Sequence, residues 1–321
     1  MTGRERFFNA LENRPPIDRI PTFELVHYLS MELLGKVHPC HRNFSQWNQM
    51  SREERRLQVR DMAQVFIDTA RHYGHDAIFV HPNPWTEEGI VEVLSEIREL
   101  SGEEYFLCIH GDATMAIPDG DNMVEVAAMM YEEPEKLIAM QRENLKNAEG
   151  LARALAAHRG LLDGFALCSD YAFNANPFFS PDQFGELVAP VLRDEIAMYR
   201  ALGFYTIKHS DGNLNPILDQ IVDCKPHALH SIDPQGHMSL LDVRKKYGDR
   251  VATIGNVNCG LLQTGTEQQI EDDVLRCLSE GMADGGKGFV FSTSNCVYTG
   301  MALSRYQRMM DLFAERRKVH H

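Results

Sequence analysis

The sequence has few basic residues for its size. It contains 32 Lys and Arg residues against 46 Asp and Glu residues in 321 positions, so its formal net charge is −14. Nucleic-acid binding depends on phosphate neutralisation by Lys and Arg, and an acid-rich chain supplies little of it. The composition therefore argues against a nucleic-acid partner.

Long hydrophobic runs are also missing. The N-terminus, MTGRERFFNALENRPP, has no apolar core of the kind found in secretory signal peptides, and no later run is long enough to cross a bilayer. Hydrophobic residues still make up 44% of the chain and charged residues 24%, as in ordinary globular proteins. We expect a cytoplasmic protein with no membrane partner.

Paired cysteines are the third absence. The chain has seven Cys residues, an odd number, at scattered positions, and no two of them form a Cys-x-x-Cys motif. This pattern argues against a disulfide framework and against a zinc ribbon, and it leaves free thiols or metal ligands in a reducing compartment. A buried structural thiol is the default role for each one.

What the chain does contain is a regular alternation of strand-like and helix-like segments. Short β-branched or apolar runs occur at residues 19–26, 76–80, 164–168, 204–209, 228–232, 251–257 and 288–292. Helical patterns lie between most of them, such as residues 180–203, which open with Ser-Pro and close with Gly, and residues 266–285, which also close with Gly. Such repetition indicates βαβ units and a mainly parallel sheet.

Residues 89–111, GIVEVLSEIRELSGEEYFLCIHG, depart from this order. Two strand-like runs flank the turn-like SGEE, which predicts a β-hairpin inserted into the series. No linker, low-complexity tract or internal repeat divides the chain. We therefore predict a single α/β domain over residues 1–321 with an N-terminal helical extension, and we assign no role to the terminal Val-His-His.

Polar side chains follow nearly every predicted strand. In chain order they are Glu24, His27, Tyr28, His81, Trp85, Cys168, Asp170, Tyr171, His209, Asp211, Asp233, Asn256, Cys259, Asn295 and Cys296. In an α/β barrel the carboxyl ends of all strands meet at one face, where catalytic residues lie. His209 and Asp211 are two positions apart at the end of one strand, so they should face the same volume. The pattern predicts an α/β barrel with its site at that face.

Five segments, in order, resemble the uroporphyrinogen decarboxylase superfamily. They read MTGRERFFNALENRPPIDRIP, FFSPDQFGELVAPVLRDEI, HSDGNLNPILDQIVD, GNVNCGLLQTGT and GGKGFVFSTSN, and the resemblance spans essentially the whole chain. It implies a (β/α)8 TIM barrel of the uroporphyrinogen decarboxylase type. The superfamily contains decarboxylases of tetrapyrroles and zinc methyltransferases that work with corrinoid proteins, and fold alone does not choose between them.

One departure from the family pattern favours the methyltransferases. The decarboxylases carry an arginine-bearing element after the first strand that holds substrate carboxylates, whereas residues 23–35 here read FELVHYLSMELLG, without arginine. A substrate with many carboxylates would lose hydration there without gaining cationic partners. A decarboxylase of a smaller acid, with Asp211 or Asp170 handling the proton, remains the alternative, and a non-catalytic protein that binds a corrinoid protein or a tetrapyrrole is a third hypothesis.

The resemblance implies two ligand patterns within the methyltransferase branch. Coenzyme M methyltransferases show His-x-Cys, an acidic residue and a C-terminal Cys, but the pair here is His209-x-Asp211, without the Cys. Methyltransferases that demethylate phenyl methyl ethers show an Asp followed by two separated Cys residues, and Asp233, Cys259 and Cys296 repeat that order. These three are therefore the expected zinc ligands, and a substrate ether oxygen would take the fourth position.

The predicted function is methyl transfer from an aryl methyl ether to a corrinoid (cobalamin) carried by a partner protein, with zinc polarising the ether oxygen. His209, Asp211 and Asp170 are the expected catalytic residues, and His209 is an alternative zinc ligand. The expected substrate contacts are Tyr28, His27, Glu24, His81, Trp85, Tyr171 and Asn256. A homodimer is the oligomeric state considered.

Overall fold

A seven-stranded parallel sheet forms the centre of the protein; the structure, a computed structural model, describes residues 1–318. Strands that are consecutive in the sequence are neighbours in the sheet. The strands are β1 (Ala77–Phe79), β2 (Phe106–His110), β3 (Gly164–Leu167), β4 (Tyr205–Ser210), β5 (Ala228–Ser231), β6 (Ala252–Ile254) and β7 (Phe289–Val290). Apart from residues 19–26, every segment predicted as part of the parallel series coincides with one of these strands.

Residues 19–26 lie between the two edges of this sheet. Beside β7, the N–H of Phe291 donates to the carbonyl oxygen of Pro21 at 2.9 Å. Beside β1, the N–H of Asp76 donates to the carbonyl oxygen of Thr22 at 2.8 Å. The segment therefore takes the eighth place around the axis, although it pairs too briefly to count as a strand. The fold is of the TIM-barrel type, as predicted.

Helices cover the outside of the sheet. They are α1 (Gly3–Leu11), α2 (Ser30–Leu34), α3 (Arg52–Tyr73), α4 (Glu87–Ser101), α5 (Met123–Glu132), α6 (Pro134–Ala156), α7 (Pro181–Gln183), α8 (Ala189–Ala201), α9 (Leu218–Asp223), α10 (Leu240–Tyr247), α11 (Cys259–Thr264), α12 (Glu267–Gly281) and α13 (Leu303–Arg316). A π-helical turn, Phe184–Val188, joins α7 to α8. Within residues 1–318, no helix combines the length and apolar character that crossing a membrane requires.

The predicted hairpin at residues 89–111 is wrong. Glu87–Ser101 is the helix α4, and only Phe106–His110 is a strand. The apolar side chains that α4 buries are those of Ile90, Val93, Leu94 and Ile97. Their spacing of three and four residues is the helical period, and it outweighs the β-branched composition that suggested a strand. The side chain of Thr86 accepts a hydrogen bond from the N–H of Gly89, which fixes the start of the helix.

The helix α1 packs against the end of the barrel at which the strands begin. The ring of Phe7 lies 4.7 Å from that of Phe106 and 5.4 Å from that of Phe23, measured between ring centroids. Arg6 adds a buried ion pair, with Nη1 2.6 Å from Oδ1 of Asp76. This packing accounts for the predicted N-terminal helical extension and leaves the opposite, carboxyl end of the strands for a site.

Candidate active site

Asp170, His209 and Asp211 form a compact group of donors, which we call the triad, at the carboxyl ends of β3 and β4. One ligand-type atom from each lies within 4.8 Å of the other two, and no other group of His, Cys, Asp or Glu residues in the described part of the chain meets that limit. Nε2 of His209 is 3.7 Å from Oδ1 of Asp170 and 3.8 Å from Oδ1 of Asp211. His209 and Asp211 do face one volume, as their strand spacing predicts.

Strand pairing and one hydrogen bond bring the triad together. His209 is in β4, and the register of the sheet places it beside His230 of β5. Asp211 follows the end of β4, and its N–H donates to Oδ1 of Asp170 at 2.9 Å. Asp170 itself follows β3, the neighbour of β4. The three side chains thus come from adjacent strand ends, which parallel strands bring to the same edge.

The imidazole of His209 is held by a second imidazole. Nδ1 of His209 lies 2.7 Å from Nδ1 of His230, so one ring donates and the other accepts. Burial lowers the pKa of His209 to about 4, against the opposing charge of Asp170. Burial also lowers the pKa of His230 well below its usual range. Both rings are therefore neutral at pH 7, and His209 is left with Nε2 facing the two carboxylates.

Asp211 is the most hydrogen-bonded carboxylate of the triad. Its Oδ1 accepts from Oγ of Ser231 at 2.7 Å, and its Oδ2 accepts from the side-chain amide of Asn295. Burial, and then the negative charge of Asp170, raise the pKa of Asp211 to about 7. Two carboxylates this close disfavour a second negative charge, so without a cation Asp211 exchanges a proton near neutral pH.

The predicted zinc ligands Asp233, Cys259 and Cys296 do not converge as closely as the triad. Their ligand atoms are not all within 4.8 Å of one another. Oδ2 of Asp233 accepts from the N–H of Gly212 at 3.2 Å, and Oδ1 accepts from the N–H of Gln235 at 2.9 Å. Sγ of Cys259 lies 3.5 Å from the carbonyl oxygen of Cys296. This ligand set stays a prediction.

The pKa values of both thiols are shifted by burial and by nearby acidic groups. Burial raises the pKa of Cys259 to about 12, and Glu24 adds to the shift. Burial raises the pKa of Cys296 to about 12 as well, with smaller contributions from Cys259, Asp211 and Asp170. Each thiol is thus protonated at neutral pH, and a metal would have to displace that proton to bind sulfur.

The donor chemistry of the triad fits a divalent metal such as zinc. Zinc takes imidazole nitrogen and carboxylate oxygen as ligands. A ligating His usually has its other ring nitrogen hydrogen-bonded, as the ring of His209 is by His230. A cation between Asp170 and Asp211 would also relieve the repulsion that raises the pKa of Asp211.

Two of the predicted substrate contacts, Glu24 and His27, lie between the barrel and its helices. Glu24 is buried and accepts hydrogen bonds from the hydroxyls of Thr293 at 2.6 Å and Tyr306 at 3.1 Å. His27 is buried beside the rings of Tyr73 and Tyr306. Both residues line a cavity of about 30 Å³ against α3. The hydrogen-bond partners of Glu24 belong to the protein itself, and a role of either residue in substrate binding stays a prediction.

Tyr171 and Asn256 are fully buried within the strand ends. The hydroxyl of Tyr171 lies 2.6 Å from Oγ1 of Thr114, and the amide of Asn256 donates to the carbonyl oxygen of Ile232 at 2.8 Å. These contacts stabilise the loops around the triad. A direct contact of either residue with substrate stays a prediction.

The remaining predicted contacts, Tyr28, His81 and Trp85, are more accessible. The ring of Tyr28 lies 4.6 Å from that of His41, and the ring of His81 lies 5.7 Å from that of His110. Trp85 is 49% exposed and borders a groove of about 540 Å³. Of the three, Trp85 has the largest surface free to receive a ligand.

That groove is connected to the triad through the segment before Asp170, although no triad residue lines it. Its lining includes Cys168 and Ser169, the two residues directly before Asp170, and His110 at the end of β2. Across from them, Asn144 and Asn147 of α6 present two amide side chains. The groove therefore offers an aromatic wall, two amide side chains and the carboxylate of Asp112.

Sequence reasoning missed an ion pair beneath the groove. Nζ of Lys208 lies 2.8 Å from Oδ2 of Asp112, and both side chains are buried. Burial opposes ionisation of Asp112, but Lys208 and the hydrogen bonds from Thr114 and Ser169 together lower the pKa of that carboxyl. The same oxygen accepts from the N–H of Ser169 at 2.8 Å, which anchors the segment that carries Asp170. A Lys in the middle of the apolar strand YTIKHS is the signal that could have revealed this pair.

Comparisons with known proteins agree with this architecture. The model of the family "Uroporphyrinogen decarboxylase (URO-D)" matches residues 113–316. A methyltransferase from Methanosarcina mazei is similar in structure, with a TM-score of 0.72 and 18% identity over 98% of this chain and 99% of that one. A protein from Listeria monocytogenes named for vitamin-B12-independent methionine synthase gives a TM-score of 0.52 and 9% identity over 92% and 95% of the two chains. Comparison with curated proteins found no match.

At these identities the two structural likenesses establish the fold alone. The family match carries more, because it includes the triad, the predicted zinc ligands Asp233, Cys259 and Cys296, and the helices from α5 to α13. It covers well over half of the chain, and it agrees with the order of motifs found in the sequence. The chain belongs to the uroporphyrinogen decarboxylase family.

Proposed function

We propose that this protein is a zinc-dependent methyltransferase of the O-demethylase type, which moves a methyl group from an aryl methyl ether to a corrinoid carried by a partner protein. The observation that carries the proposal is the triad, an imidazole and two carboxylates gathered at the carboxyl ends of the strands. The similarity in fold to a methyltransferase from Methanosarcina mazei supports it.

In this proposal Nε2 of His209 and the carboxylates of Asp170 and Asp211 hold the metal. Bound there, zinc would supply Lewis acidity that makes an aryl oxide a better leaving group. His230 holds the ring of His209 through Nδ1, so Nε2 can keep its lone pair for ligation. Ser231 and Asn295 hold the carboxylate of Asp211 in one orientation.

In this proposal the groove bordered by Trp85 would receive the aromatic ring. Trp85 offers a large apolar face, which suits offset or edge contact with an aryl group. The amides of Asn144 and Asn147 can bond hydroxyl or methoxy substituents. Two acidic side chains at the site disfavour a substrate that brings further carboxylates, so an uncharged methyl donor fits better than a polycarboxylate.

A decarboxylase is the second candidate, and one observation favours it. The pKa of Asp211 is raised to about 7, which suits a carboxyl that gives a proton to a carbanion at neutral pH. Against this, residues 23–35 contain no arginine to hold a substrate carboxylate. The methyltransferase therefore remains the better supported of the two.

The test begins with protein purified without an affinity tag, whose metal content is measured by mass spectrometry. The protein is then incubated with a methoxylated phenol and a reduced corrinoid protein while the cobalt absorption spectrum is followed. We expect the spectrum of methylated cobalt to appear together with the free phenol, to be abolished by chelation, and to be restored by zinc. Methyl transfer that survives complete metal removal would contradict the role of zinc, and release of CO2 from a carboxylated substrate without metal would favour the decarboxylase.

A further inference from the structure

The helix α5 leaves an apolar stripe exposed to water. Its sequence is MVEVAAMMYE, yet Met130 is its one buried residue. Val124 is 83% exposed and Tyr131 is 79% exposed. Together with the exposed Ala128, these residues are spaced by four and three positions, so they share one side of the helix. Single exposed apolar residues are ordinary, whereas a stripe of them along one helix marks a contact surface.

An acidic stripe runs beside the apolar one. Glu125 and Glu132 are exposed, and each directly follows a residue of the apolar stripe. We call Val124, Ala128 and Tyr131 together with Glu125 and Glu132 the α5 face. Asp119, Asp121, Glu133 and Glu135 are also exposed close to it in the sequence. The charged residues from 119 to 135 are all acidic, and Lys136, which follows directly, has its Nζ 3.4 Å from a carboxylate oxygen of Glu133.

The α5 face belongs to a helix near the entrance to the triad. The segment that leads into α5 passes Asp170, where the N–H of Ile117 donates to the Asp170 carbonyl oxygen at 2.8 Å. The helix itself packs on α6, which supplies Asn144 and Asn147 to the groove. A protein bound to the α5 face would therefore lie next to α6, which lines the groove, and near the segment that bonds to Asp170.

We propose that the α5 face is the docking surface for the partner protein that carries the methyl acceptor, and that this partner presents an apolar patch bordered by Lys and Arg. This inference rests on the proposed function. A methyl acceptor held by a second protein must be brought to the strand ends, and the α5 face is an apolar surface at that position. Complementary charge would steer the encounter, and its effect would weaken with added salt.

A second copy of this chain fits the α5 face poorly. In a two-fold dimer the same patch meets itself, so Glu125 and Glu132 of one copy would approach the same residues of the other. Like charges that face each other across a contact are unfavourable. The net charge of −14 adds to the repulsion between copies. Charge therefore favours a basic partner over self-association.

The experiment compares Val124→Asp with Leu57→Asp. Leu57 is a 52% exposed apolar residue of α3, so the control adds the same charge outside the α5 face. Methyl transfer from a methoxylated phenol is measured with a reduced corrinoid protein and, separately, with free reduced cobalamin. We expect Val124→Asp to raise the KM for the corrinoid protein at least about tenfold, because a charge replaces an apolar contact, and to leave the rate with free cobalamin unchanged. Leu57→Asp should change neither.

Direct binding keeps the docking inference separate from the proposed function. Sedimentation velocity with the corrinoid protein should show a complex for the wild type and for Leu57→Asp, and loss of that complex for Val124→Asp. If binding follows this pattern but no methyl is transferred to either acceptor, the proposed function fails and the docking surface stands. Three results overturn the inference: no complex for the wild type, equal binding by both variants, or a wild-type dimer that Val124→Asp dissociates.

Discussion

Nδ1 of His209 lies 2.7 Å from Nδ1 of His230, and the two residues are register partners on β4 and β5. Both rings are neutral because burial lowers both pKa values, so a single proton is shared between the two nitrogens. When His209 donates it, Nε2 of His209 carries a lone pair toward Asp170 and Asp211. When His230 donates it, Nε2 of His209 carries a proton toward the same carboxylates. The first arrangement suits a metal, and the second suits the triad without one.

The first prediction is that His230 sets the metal affinity without being a ligand. Replacing His230 by Leu removes the group that orients the ring of His209, and we expect zinc to bind about 10- to 100-fold more weakly. The measurement is a competition titration against a chromogenic chelator. His227→Leu is the matched control, since His227 precedes the same strand but bonds to Thr206. Equal affinity in both variants would mean that His230 serves packing alone.

A second prediction separates the two candidate ligand sets. If the triad holds the metal, the wild type should contain about one zinc per chain, and His209→Ala and Asp170→Asn should lose most of it. Cys259→Ala should then keep its zinc, because its thiol lies against the Cys296 carbonyl oxygen and belongs to the alternative set. Metal content is measured by mass spectrometry on variants whose circular dichroism matches the wild type.

The reverse result would restore the ligand set that the family resemblance implies. In that case Cys259→Ala and Cys296→Ala lose zinc, while Asp170→Asn retains it. Loss of zinc in both the triad variants and Cys296→Ala would add the Cys296 thiol to the triad. Each outcome assigns the ligands from the same set of purified proteins.

The sequence alone predicted most of the barrel, because its strands and helices have clear periods and caps. The helix at residues 180–203 is an example: Ser180 caps it, and it continues through a π-helical turn into α8. The prediction failed at α4, where β-branched residues occupy positions of helical spacing. Composition and spacing disagreed there, and burial of one helical side decided the outcome.

The candidate site was only partly predictable. His209 and Asp211 could be placed together because residues two apart on a strand face one side. Their meeting with Asp170 depends on the pairing of β3 with β4, and the contact with His230 depends on the register of β4 and β5. No local sequence pattern specifies either of these strand pairings. The sequence also could not show that Glu24 lies between the barrel and its helices. A polar residue near the end of a strand can point either into the barrel or toward the helices.

A third prediction concerns the stability that Glu24 gives to the fold. Burial raises the pKa of Glu24 from 4.5 to about 7, so between these values the folded protein holds a proton that the unfolded chain has lost. The free energy of unfolding should therefore fall as pH rises through this window, by up to about 1.4 kcal/mol per pH unit. Below pH 4.5 Glu24 is protonated in both states, and its contribution to the free energy of unfolding no longer changes with pH.

Urea unfolding at several pH values checks this prediction. Glu24→Gln cannot ionise, so its free energy of unfolding should depend less on pH between 4.5 and 7 than that of the wild type. Glu186→Gln, at an exposed position, is a control that should keep the wild-type slope. Identical slopes in the wild type and Glu24→Gln would show that Glu24 is ionised in the folded protein.

The last prediction tests the groove as the site of the aromatic ring. The chain has two Trp residues, which makes a matched pair: Trp85 is exposed beside the groove, and Trp47 packs on Phe44 with 5.1 Å between ring centroids. Trp85→Ala should raise the KM for a methoxylated phenol about 5- to 10-fold, the scale of one lost aromatic contact. The KM for the corrinoid protein should stay unchanged, because that protein docks through the α5 face. Trp47→Ala should leave both KM values near those of the wild type. If Trp85→Ala raises only the KM for the corrinoid protein, Trp85 belongs to the docking surface and does not contact the aromatic ring of the substrate.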